Sequence, residues 1–101
     1  PALLQTVNLR FLQTNDPSVI GFIKESGDGL NAVAVAIALA KEPREFWFHF
    51  GDAQTGPAHA RRPVRELENL VTGERQLLEW NGLRVRIDPN ADAAVLFRCH
   101  A

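Results

Sequence analysis

Apolar and polar residues alternate along most of this chain, and a period of two is the signature of strands with one buried face. The clearest run is LNAVAVAIALA, residues 30–40, where Val33, Val35, Ile37 and Leu39 share one face and alanines fill the other. Alanine favours helix, but the β-branched Val33, Val35 and Ile37 favour strand, and strand is the reading. An alanine face has little side-chain depth, so a bulky neighbour or another backbone can approach it, which suits a central strand. EFWFHFG, residues 45–51, alternates again, with Phe46, Phe48 and Phe50 on one side and Glu45, Trp47 and His49 on the other. VIGFIKE, residues 19–25, is a further strand. Between Ala2 and Leu12 the positions Leu3, Leu4, Val7, Leu9 and Phe11 mix two spacings and read as a short lead-in followed by a strand.

The segments between these runs carry turn chemistry. Thr14, Asn15, Asp16, Pro17 and Ser18 form one turn and Gly27, Asp28 and Gly29 another, because Asn and Asp bond their own backbone and proline presets φ. Asp52 to Pro63 contains Gly56, Pro57 and Pro63 and has no period, so it reads as a long, floppy loop. Val64, Leu67 and Leu70 then lead into LVTGERQLLEWNGLRVRIDPNADAAVLFR, residues 70–98. That stretch predicts a turn at Thr72, Gly73 and Glu74, and a hairpin closing at Asn81 and Gly82. A second connection runs from Asp88 through Pro89 and Asn90 to Asp92. Leu78 and Trp80 are expected to face the core together, as are Leu83, Val85 and Ile87, with Arg84 and Arg86 turned to solvent. The sum is about seven or eight short strands at regular turn spacing, an all-β antiparallel β-sandwich in a single domain over residues 1–101.

A chain of 101 residues buries only roughly 60 to 65% of its unfolded surface, enough for one modest core. With 46% hydrophobic and 23% charged residues, it should fold without a metal or disulfide. A net charge of -1 exerts no overall pull on nucleic acid or on an anionic membrane, so neither is an expected partner. The lone Cys99, with no signal peptide and no long apolar run, makes a reducing, cytoplasmic setting the expectation. The chain begins at Pro1 and contains neither Met nor Tyr, and it reads as a piece of something longer.

Chemistry-bearing patterns are sparse. His49, His59 and His100 lie at no metal-ligand spacing. Cys99 and His100 are neighbours on a strand and so point to opposite faces, which removes them as a nucleophile and base; Cys99 reads as a small buried residue. Asp28, Asp88 and Asp92 fall in turns, where Asp is expected for backbone reasons, and not as a carboxylate pair flanking a cleft. Gly27, Asp28 and Gly29 lack the tail of a phosphate loop. No catalytic residue, metal or cofactor is expected. Arg61, Arg62 and Arg65 read as a solvated loop or a docking patch for a neighbouring domain. Trp47, opposite three phenylalanines, either packs in a second layer or against another domain, or presents a ring that stacks on a sugar, with His49 or Glu45 supplying hydrogen bonds.

Two ordered blocks carry a family resemblance. NLRFLQTNDPSVIGFIKES, residues 8–26, and LVTGERQLLEWNGLRVRIDPNADAAVLFR, residues 70–98, resemble the start and end of the C-terminal β domain of the maltose-1-phosphate-dependent α-1,4-glucan maltosyltransferases. These are bacterial members of the α-amylase superfamily. The middle departs from their pattern: AIALAKEPREFWFHF stands where the family usually has VNLDPH, and Leu77 and Leu78 stand where Tyr and Thr are usual. The resemblance implies a parent enzyme whose (β/α)₈ barrel, with an aspartate nucleophile and a glutamate acid/base, extends α-glucans from maltose 1-phosphate. None of those residues maps onto this chain, which is expected to be no enzyme itself. The implied role is an accessory domain that packs on and stabilises the barrel of the same polypeptide, with rings such as Trp47 facing it. An α-glucan-binding module built on Trp47, or a domain of a trehalose synthase or an α-amylase, is the alternative.

Overall fold

Residues 7–26, 31–51, 53–56 and 60–101 are described by the computed structural model, and within them every regular element is a strand. In chain order these are β1 (Val7–Thr14), β2 (Val19–Ser26), β3 (Ala32–Ala38), β4 (Arg44–His49), β5 (Gln54–Thr55), β6 (Arg62–Pro63), β7 (Glu66–Asn69), β8 (Arg75–Leu77), β9 (Gly82–Ile87) and β10 (Ala94–His100). The lead-in before Val7, the turn at Gly27, Asp28 and Gly29, and His59 lie outside the described residues.

Eight strands form one antiparallel sheet in the order β8-β7-β10-β3-β2-β1-β4-β9. The sheet folds over on itself at β1, which changes partners along its length. It pairs with β2 as far as Leu12↔Gly21 and with β4 through Gln13↔His49 and Thr14↔Phe48. Two layers result: a broad one containing β2, β3, β10 and β7, and a narrow one of β4 and β9. This is the sandwich-like class that the alternation predicts.

The alanine face of β3 turns inward. Ala32, Ala34, Ala36 and Ala38 are all buried, and against them come Phe46, Phe48 and Phe50 from the narrow layer. Small residues on one layer and rings on the other are complementary in volume, which lets the two sheets approach closely here. Between the layers the fit is close at Gly21, where an added Cβ would stand 2.7 Å from Phe48 Cε1. Phe48 and Phe50 lie with ring centroids 4.8 Å apart and tilted by 43°. Val85, Ile87, Leu67, Phe97 and Cys99 complete the core. Burial pushes the Cys99 thiol up to about 12, so it stays protonated and unreactive at neutral pH.

Two expectations are corrected. Asp52 to Pro63 is not a loop throughout, because Gln54 pairs with Pro63 and Thr55 with Arg62 in a two-stranded ribbon. Arg61 holds that ribbon to the broad layer, bonding Glu25 on β2 as well as the carbonyls of Gly56 and Gln54. A single guanidinium fork replaces the periodic packing that the sequence lacks. The second correction is Trp80, which is 89% exposed instead of buried. Glu79 and Gly82 form the closing pair, exchanging both backbone hydrogen bonds at 3.0 Å. The two-residue loop is therefore Trp80 and Asn81, at φ 54° and 58°. Positive φ at both central residues is the type I′ pattern. Shifting the loop by one residue moves Trp80 off the core face and onto the tip.

Candidate functional site

Two outward surfaces differ in chemistry. On the broad layer, alternation sends Phe11 of β1, Ile20 and Phe22 of β2, Val35 and Ile37 of β3, and Leu96 of β10 to the outside. Register sets them side by side, as in Phe11↔Phe22, Phe22↔Val35 and Leu96↔Val35. Phe11 is 70% exposed and meets Phe22 edge-on, centroids 6.4 Å apart. Part of this face is a shallow depression lined by Phe22, Val33, Val35 and Leu96, with Lys24 and Glu25 at its edge. Two rings and several aliphatic side chains set side by side on four adjacent strands, with Phe11, Ile20 and Leu96 exposed, are the mark of a surface meant to be covered.

On the narrow layer the outward residues are Glu45, Trp47 and His49 of β4, with Gly82, Arg84 and Arg86 opposite them on β9. Trp47 is half-buried because its indole lies on Gly82, where any Cβ would collide with it. Asn15 fixes the strand beneath, accepting from the Trp47 backbone N–H through Oδ1 at 2.8 Å. Glu45 accepts from Arg84 at 3.0 Å, an exposed pair that contributes little to stability. Trp47, Arg75, Gln76, Leu77, Glu79, Gly82, Leu83 and Arg84 line an open groove of about 700 Å³. It runs between the edge strands β8 and β9, which join in no ladder.

The residues singled out from sequence are thus only partly brought together. Trp47 lines the groove, and Glu45 reaches it through Arg84. His49 instead joins Arg10, Phe11 and Gln13 in a separate depression on the other side of β4. Trp80, expected in the core, stands in solvent at the turn between Glu79 and Gly82, both of which line the groove. The signal that would have found it is the pairing register, since Gly82 is required inside the strand under Trp47 and cannot serve in the loop. His100 points outward, away from buried Cys99, and meets Glu68 at 3.0 Å. That contact holds the Glu68 carboxyl below its usual value. Among the described residues no group of three or more His, Cys, Asp or Glu side chains is placed to hold a metal ion.

No protein-family model matches the chain. Over 100 residues it is 28% identical to the α-1,4-glucan:maltose-1-phosphate maltosyltransferase of Methylacidiphilum infernorum (isolate V4), covering 97% of this chain and 14% of that protein. The chain is similar to one segment of a maltosyltransferase. It spans about a seventh of that relative's length, the size of a domain and not of the whole enzyme.

Proposed function

We propose that this chain is the non-catalytic C-terminal β domain of an α-1,4-glucan:maltose-1-phosphate maltosyltransferase. In this reading it works in the bacterial cytoplasm, in α-glucan synthesis, and stabilises the catalytic (β/α)₈ barrel of the same polypeptide. The observation that carries the reading is the apolar outer face of β1, β2, β3 and β10, with Phe11 70% exposed at its edge. The barrel is its proposed occupant because a chain covering 14% of its relative leaves most of an enzyme's length to supply that cover. This places the contact on the broad layer, around Phe11 and Phe22, and frees Trp47 from the role of facing the barrel.

Phe11→Glu in the longer enzyme tests it. A carboxylate in a closed apolar contact costs about 2 kcal/mol or more, so the enzyme should melt lower while the 101-residue chain keeps its own Tm. An enzyme whose Tm and solubility ignore the substitution would sink the proposal.

A further inference from the structure

The groove between β8 and β9, and the turn at its rim that carries Trp80 between the lining residues Glu79 and Gly82, have features that folding does not account for. Trp80 is a bulky residue in the left-handed region, at φ 54°, where Asn or Gly is favoured. Its ring gains nothing from packing in return, being 89% exposed. Strain kept without a packing return points toward use of the side chain. Glu79 and Gly82, on either side of its turn, both line the groove, whose other walls include Trp47, Gln76, Leu77 and Arg84. Gly82 is itself constrained, because only a residue without a Cβ leaves room for the Trp47 indole.

We propose that this groove binds a linear α-1,4-glucan, with Trp80 and Trp47 as stacking platforms and Arg84, Gln76 and Glu79 bonding the hydroxyl rim. A pyranose ring has an apolar C–H face and an edge of hydroxyls, and each finds its complement here. The indole faces take the C–H surface. A guanidinium, a carboxamide and a carboxylate supply the donors and acceptors that hydroxyls need. The α-1,4 linkage rests on the domain assignment proposed above. The site opens between the edge strands β8 and β9 and shares no lining residue with the apolar outer face of β1, β2, β3 and β10, so one chain would hold the barrel with one surface and product or acceptor glucan with another.

With two tryptophans in the chain, a ¹⁵N-labelled sample gives two indole N–H signals. Titration with maltoheptaose to millimolar concentration should shift both, saturably, and cellohexaose should shift them far less. Trp80→Asn suits the turn, so it should raise Tm and weaken maltoheptaose binding about tenfold. Unmoved indole signals, equal shifts with the two sugars, or unchanged affinity in Trp80→Asn would each overturn the proposal. Because the docking test reads Phe11 on a different surface, failure of one leaves the other readable.

Discussion

The outward faces of the two layers obey the same alternation and carry opposite chemistry. On the broad layer β3 is apolar on both faces, and Phe11, Ile20, Phe22 and Leu96 of the neighbouring strands extend its outer apolar face, with Lys24 and Arg98 at the margin. The inner side is satisfied by the phenylalanines of β4, and the outer side by nothing within the described residues. On the narrow layer only the inner side is apolar, and the outer side carries Glu45, His49, Arg84 and Arg86 around one indole. Only the broad layer contains a strand, β3, with the sequence of one buried on both sides. That asymmetry separates a dry contact from a wet one: the first needs a large apolar cover, the second fits a ligand rich in hydroxyls. It also separates the tryptophans from the outer phenylalanines in the proposals made above.

The comparison depends on the two layers being held rigidly together, and the largest expected effect comes from loosening them. Phe48 is fully buried over Gly21. Phe48→Ala should cost about 3 to 5 kcal/mol, read as a fall in the urea midpoint at unchanged slope. Gly21→Ala approaches the same contact from the other layer. Its Cβ would stand 2.7 Å from a ring with no room to withdraw, so a loss of about 1 to 3 kcal/mol is expected. If Gly21→Ala proves neutral, the layers are not packed face to face at this point.

Much of this arrangement is legible in the sequence, and the failures have physical causes. The period of EFWFHF sorts Phe46, Phe48 and Phe50 from Glu45, Trp47 and His49 correctly, because one buried face enforces the pattern. The alanine face of β3 was readable as a place of close approach. What alternation cannot give is the identity of the facing strand. Gly82 reads as a turn residue until its pairing with His49 and its place beneath the Trp47 indole are known. The ribbon of β5 and β6 was invisible because two-residue strands have no period. Its anchor joins Arg61 to Glu25 across 36 positions. From the sequence Trp47 could be placed on the outward face of β4, whereas Trp80 reads as a core residue and not as the tip of a turn.

Trp80→Asn sharpens the contrast from the side of the narrow layer. Removing a bulky residue from positive φ in a type I′ turn should stabilise the isolated chain by about 1 kcal/mol. Most single substitutions destabilise, so a rise in the urea midpoint would be a distinctive result. A fall would mean that the ring contributes packing in solution, which would remove the strain argument for a ligand.

The smallest expected effect concerns the joint between the layers. Asp16, in the turn joining β1 and β2, accepts from the Ser18 hydroxyl at 2.6 Å and from its backbone N–H at 2.8 Å. Those bonds, with a smaller pull from Arg44 at the start of β4, hold its carboxyl below the usual aspartate value against the opposing effect of desolvation. A folded-state value depressed below the unfolded one means the unfolded chain binds more protons in the interval between them. The contribution is present in full above the unfolded value and is lost as pH falls through the folded one. Asp16→Asn removes the titrating group and can keep only part of the cap. Its stability should therefore depend less on pH through the acid limb than that of the wild type, while sitting lower near neutrality. Parallel urea titrations of the two proteins from neutral to acid pH read this directly. Curves of identical shape would show that the turn does not hold Asp16 in its charged form, and the joint would then rest on the backbone pairing of β1 alone.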